Sequence, residues 1–170
     1  MTVTSKASAT TPTHHSAPAA ASVDAIDLLT QDHANVKALF EQYEGLSDRS
    51  RANKKKVATQ ICLELTKHAT AEEEIFYPAV REATDEEDLV DEAVVEHASA
   101  KELIAQILSM EPGEDLYDAK VKVLSEQIEH HVSEEEGEMF PKARKAKLDL
   151  AALGDAIAAR KAEIELPVQQ

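Results

Sequence analysis

Six residues of this sequence form two copies of one pattern suited to metal binding. Asp32-His33 is followed by His68-x-x-x-Glu72 and Pro78, and Glu96-His97 by His131-x-x-x-Glu135 and Pro141. His68, Glu72 and Pro78 each recur 63 positions on, and His33 recurs 64 positions on. A histidine and a glutamate at that four-residue spacing project from one side of a helix. Imidazole with carboxylate suits iron, manganese or zinc, and two such sets facing each other can hold two ions bridged by the two carboxylates.

Helices must position these groups. From residue 24 onward the only glycines are Gly45, Gly113, Gly137 and Gly154, and apolar residues recur at spacings of three and four. The pattern predicts an all-α chain. The first helix runs from Asp24, an N-cap, to Glu44 before Gly45, and the second from Arg49 to Val80. The third starts at the capping-box pattern Thr84-x-x-Glu87 and runs to Met110, where Glu111-Pro112-Gly113 stops it. The fourth spans Asp115 to Lys145. Connections this short make neighbours antiparallel, so residues 23–147 are expected to form an up-down-up-down four-helix bundle. Residues 149–164 predict a short extra helix within a C-terminal segment, 148–170. Residues 1–22, rich in Ser, Thr, Ala and Pro, predict a disordered tail in which His14 and His15 are not ligands.

On these helices the apolar stripes read Ile26, Leu29, His33, Val36, Phe40; Ile61, Leu65, His68, Glu72, Ile75; Val90, Val94, His97, Ile104, Leu108; and Val121, Leu124, Ile128, His131, Glu135, Met139. Each helix therefore points one histidine into the core, and two also point in a glutamate. A buried carboxylate without a partner costs several kcal/mol, and no arginine shares these stripes. One histidine on an apolar stripe is usually an ordinary core residue. Four at matched positions instead mark His33, His68, Glu72, His97, His131 and Glu135 as a metal set, with a metal-free hydrogen-bond network as the alternative. His130 with Glu134 has the same spacing as His131 with Glu135, but the proline alignment and the Leu124, Ile128 stripe select His131. Glu73, Glu74, Glu134 and Glu136 are expected to be exposed or behind the ligands. Phe76-Tyr77-Pro78 and Phe140-Pro141 are expected to pack the bundle end, and Lys142, Arg144, Lys145 and Lys147 to favour the dipole of a helix C-terminus.

Composition narrows the function. A net charge of −15 opposes binding to nucleic acid or anionic membrane, and no apolar run approaches the ~20 residues of a membrane span. The one cysteine, Cys62, between Ile61 and Leu63, reads as a small buried side chain and fits a cytoplasmic setting. A single domain of this length can bury a core without staples and is expected to be a monomer.

The segments DHANVKALF, HATAEEEIFYP, EHASAKELI and HVSEEEGEMFP resemble the hemerythrin-like HHE cation-binding domain over residues 24–146. The resemblance implies a four-helix bundle around two iron ions, an oxo- or hydroxo-bridged di-iron centre. It makes Glu72 and Glu135 bridging carboxylates, with His33 and His68 on one iron and His97 and His131 on the other. Oxygen-carrying hemerythrins have a further histidine one turn from the third-helix ligand; here Ala93 and Lys101 stand four residues either side of His97. That difference leaves positions for a small diatomic or peroxide ligand and disfavours reversible oxygen carriage. Two functions are expected from it: a module that binds or senses O2, NO or peroxide or holds iron, and, as the alternative, a catalase-like enzyme with Lys101 or an outer glutamate as acid-base group.

Overall fold

The computed structural model describes residues 23–166, and the expectations for residues 1–22 and for 167–170 lie outside that range. All regular structure among the described residues is helical. α1 (Ala25–Glu44) is capped by Asp24, whose side chain accepts from the Asp27 N–H. α2 (Arg51–Ala71) passes into a π-helical turn, π1 (Glu72–Phe76), and then α3 (Tyr77–Ala83). α4 (Glu87–Leu108) follows. α5 (Tyr117–Glu134) likewise passes through π2 (Glu135–Met139) into α6 (Phe140–Lys145), and α7 (Leu150–Glu163) is the last helix of the described residues. The expected second and fourth helices are thus each a rod with a wide turn inside it.

Both wide turns precede a proline. A proline inside an α-helix has no N–H to donate and its ring collides with the carbonyl four residues back. Pro78 and Pro141 each sit at the start of the α segment that follows a π turn. There the N–H of Tyr77 reaches back to the Glu72 carbonyl, and that of Phe140 to the Glu135 carbonyl, the five-residue step of a π-helix.

Two expected details are corrected. The capping box at Thr84 does not form: its Oγ1 donates to the Val80 carbonyl at 2.8 Å and accepts from the Glu86 N–H, so α4 begins only at Glu87. On α4, Val94 is exposed and Ala93 takes its place in the buried stripe.

The apolar interior is split into two clusters. One contains Val36, Phe40, Ile61, Leu65, Ile104, Val121 and Leu124; the other contains Ile26, Leu29, Phe76, Tyr77, Val90, Met139, Phe140 and Ile157. Cys62 is buried in the first. The only buried lysine among the described residues, Lys54, is paired with Asp118 at 2.9 Å and Asp48 at 3.3 Å. Two of the basic residues of α6 are tied down as well, Lys142 to Glu86 and Arg144 to Asp24 and Asp27.

α7 packs on α1, α2 and π1 and buries Ile157 completely. It comes so close at Gly154 that a Cβ there would lie 2.0 Å from the Val23 carbonyl oxygen and 3.0 Å from the Ala25 nitrogen. Those obstacles are backbone and cannot rotate away. Gly154→Ala is therefore expected to cost ~1–3 kcal/mol, read as a lower denaturant midpoint at unchanged slope. An unaltered midpoint would mean that α7 does not dock at this distance.

Candidate metal centre

Between the two apolar clusters lies a polar layer. α1 brings His33, α2 His68, π1 Glu72, α4 His97, α5 His131 and π2 Glu135, and all six are at least nine-tenths buried. His33, His68, Glu72 and Glu135 present ligand atoms within 4.8 Å of one another, and so do Glu72, His97 and His131. The two groups share Glu72. Its Oε2 lies 3.1 Å from His68 Nε2 and 3.4 Å from His97 Nε2, while Glu135 Oε2 lies 3.3 Å from His33 Nε2 and 3.4 Å from His131 Nε2. Each carboxylate thus stands between histidines of different groups. His130 is mostly exposed and does not enter the layer.

Each histidine of the layer is held from behind. His33 Nδ1 meets Glu136 at 2.8 Å, His68 Nδ1 meets Asp32 at 3.2 Å, His97 Nδ1 meets Glu73 at 3.0 Å and His131 Nδ1 meets Glu96 at 2.7 Å. An ionised carboxylate only accepts, so each Nδ1 carries the hydrogen and each Nε2 turns inward. The four carboxylates are themselves a repeated set, Asp32 with Glu96 and Glu73 with Glu136. Of the two places expected for Glu73 and Glu136, exposed or behind the ligands, they take the second, and Asp32 and Glu96, to which the sequence pattern assigns no such part, join them. The sequence neighbour does not predict the partner: Asp32 precedes His33 yet holds His68, and Glu96 precedes His97 yet holds His131.

This arrangement fits a cation. The Nε2 atoms of His33 and His68 face each other at 3.1 Å, as do those of His97 and His131, so each pair needs a proton or a metal between its lone pairs. Glu72 Oε1 and Glu135 Oε2 are buried without any hydrogen-bond partner. Leaving such atoms unmatched costs ~1–3 kcal/mol each, more when charged. Burial works against charge here, yet Glu72, Asp32 and Glu135 lift His68 to about 10, and Glu135, Glu72 and Glu96 lift His131 to about 9. Burial likewise opposes ionisation of Glu72, but His68 and His97 hold it well below the usual carboxylate range. Glu135 is also held low, by His131 and His33, despite burial and the neighbouring Glu72 charge.

Tyr77 overturns an expectation. The sequence pattern places it in the packing at the bundle end, but its hydroxyl enters the polar layer, donating to Glu135 Oε1 at 2.7 Å and lying 3.3 Å from both Glu72 Oε2 and His97 Nε2. Burial and the two glutamates push its pKa far above the ordinary value, so it remains a donor. Its counterpart in the other half is Phe140, whose ring stacks on His33 at 5.7 Å with the planes 2° apart. Phe76 and Phe140 do pack edge to face in the apolar cluster. Regular helical periodicity hides Tyr77, because five residues after Glu72 is the wrong side of an α-helix and the right side only of a π turn.

The pattern of the hemerythrin HHE cation-binding domain matches residues 24–143, the stretch that carries the whole layer. The chain belongs to this family. The chain of this hemerythrin HHE protein is similar to a DNA nickase of Nostoc sp., with 32% identity over 118 residues, which is 69% of this chain and 33% of the relative. It thus spans about a third of that relative's length. Its fold resembles the crystal structure of a hemerythrin HHE cation-binding domain-containing protein from Mycobacterium kansasii, with a TM-score of 0.71, 24% identity, and coverage of 83% of this chain and 86% of that one. In this chain Lys101 holds both oxygens of Glu73 at 2.6 Å, so the lysine acts on His97 through that glutamate.

Proposed function

We propose that the chain is a cytoplasmic non-haem di-iron protein that binds or senses O2, NO or peroxide at the buried layer. His33 and His68 would hold one ion, His97 and His131 the other, and Glu72 and Glu135 would bridge them. The observation that carries this reading is four inward Nε2 atoms, each fixed by its own carboxylate, around two carboxylates with unmatched buried oxygens. The order of the two apolar clusters reverses from α1 to α2, again to α4 and again to α5, which supports an up-down-up-down bundle around the site. Iron in such a set would supply redox and Lewis-acid chemistry.

The chain's own residues determine what can reach it. A cavity of about 20 Å³, lined by Val36, Leu65, Ala100, Ile104, Ile128 and Val132, adjoins all four histidines. That is room for about one water-sized molecule. Its mostly apolar walls favour a small neutral ligand, and Lys101 and Asp32 also line it. On the opposite flank Ala93 is buried in the same cluster as Tyr77, and the Tyr77 hydroxyl occupies the space beside His97. A phenol there limits water on that side and so narrows the positions left for a small ligand to the cavity flank.

The match covers a third of the DNA nickase, and a chain of net charge −15 is repelled by a phosphate backbone, so nucleic acid does not fit as its partner. No helix among the described residues is long and apolar enough to cross a membrane.

The test is to measure iron in freshly purified protein, reduce it without air, add O2 and then remove the gas while following the near-ultraviolet bands. Persistence of the ferric spectrum, with added peroxide consumed or bleaching the centre, is expected. Repeated full reversal would sink the reading in favour of oxygen carriage, and zinc in place of iron would sink the redox part. Tyr77→Phe is expected to keep both ions, to cost ~1 kcal/mol for the lost hydrogen bond, and to shift the spectrum. An identical spectrum and identical peroxide kinetics would mean that the hydroxyl does not act at the centre.

A further inference from the structure

The duplication breaks at the outer carboxylates. In the first half, Asp32 holds His68 and is itself met by a cation, the Lys161 ammonium from α7. In the second half its counterpart Glu96 holds His131 through Oε2 and turns Oε1 toward His130 Nε2 at 3.5 Å. His130 Nε2 is also 3.5 Å from Glu134 Oε1, one turn along α5. The positions matching His130 and Glu134 in the first half are Lys67 and Ala71, so this trio has no copy there. Among the described residues neither Glu96 nor Glu134 pairs with a lysine or arginine. Where one half has an ammonium behind its ligand histidine, the other has two carboxylates and an imidazole.

The ligand atoms of Glu96, His130 and Glu134 all lie within 4.8 Å of one another. His130 is 63% exposed, so the cluster opens to solvent. One imidazole and two carboxylates suit a divalent ion of borderline hardness, with water completing its shell. We propose that Glu96, His130 and Glu134 bind one such ion, Mn2+, Fe2+ or Zn2+, on the surface directly outside His131, and that the site stages ions for the buried layer. Glu96 touches both the surface trio and His131, so an ion there is separated from the buried layer by one shared carboxylate and one imidazole. The staging role rests on the metal reading of the buried layer; the surface site does not.

Two measurements decide the matter. The first adds Mn2+ to the purified protein, its metal content already measured, and counts bound ions from loss of the free-ion electron paramagnetic resonance signal. One added ion per chain is expected, bound at least tenfold more weakly after His130→Ala or Glu134→Gln. Glu129→Gln, which removes a neighbouring exposed charge outside the trio, should change little. Unchanged binding in the first two variants overturns the site, and so does equal weakening by Glu129→Gln, which would reveal diffuse attraction to an acidic surface. The second measurement times Zn2+ uptake into metal-stripped chain. His130→Ala should slow uptake severalfold and leave the final two-ion content intact; an unchanged rate overturns staging. If the parent chain takes up no buried metal, the reading of the buried layer fails, and the Mn2+ result still decides the surface site.

Discussion

Glu72→Gln combined with Glu135→Gln is expected to abolish iron binding in a chain that stays helical. Glutamine keeps the volume of each side chain and removes the charge that a cation needs. Both carboxylates are essentially inaccessible to water, where unit charges 4 Å apart still attract by ~4 kcal/mol at an effective dielectric constant near 20. Only part of that survives the cost of desolvation, but ~2.8 kcal/mol is already a hundredfold in affinity. Each single variant should therefore lose at least a hundredfold, and the double variant should purify with far less than one ion per chain. Circular dichroism separates this from unfolding. Full metal content in the double variant would show that neither glutamate is a ligand.

Metal removal should lower the melting midpoint at pH 7 by ~10 °C. A ligand present at a thousand times its dissociation constant adds ~4 kcal/mol to the folded state, and a domain of this size shifts ~3 °C per kcal/mol. The size of the gap should depend on pH in a stated direction. In the metal-free fold His68 stands at about 10 and His131 at about 9, against ~6.5 when unfolded. Their stabilisation is complete below pH ~6.5 and is lost as pH rises toward 9 to 10. Glu72 and Glu135, held low, contribute above pH ~4 and lose that contribution in acid. Metal requires unprotonated imidazole, so the loaded protein gains from the same rise in pH. The difference between loaded and stripped melting midpoints should accordingly widen from pH 6 to pH 9. A constant or shrinking difference would mean that these imidazoles do not exchange protons for metal.

Sequence periodicity by itself determined that the bundle is helical and that His33, His68, Glu72, His97, His131 and Glu135 lie at one level of its interior. It could do so because a spacing of four along a helix is a local property, and a repeat of 63 carries the level from one half to the other. It also separated His131 from His130, since only one of two adjacent residues can share a face with Leu124. Tertiary structure alone decided the rest. The pairing of Asp32 with His68 and of Glu96 with His131 joins different rods, so no spacing along one rod encodes it. Thr84 offered a capping box on paper, but its hydroxyl found the Val80 carbonyl closer to hand. Tyr77 reached the site because the chain widens into a π turn before Pro78, which moves the fifth residue after Glu72 onto the face that an α-helix would give to the fourth. A one-dimensional pattern assumes a constant turn, and here the turn changes where the polar layer is built.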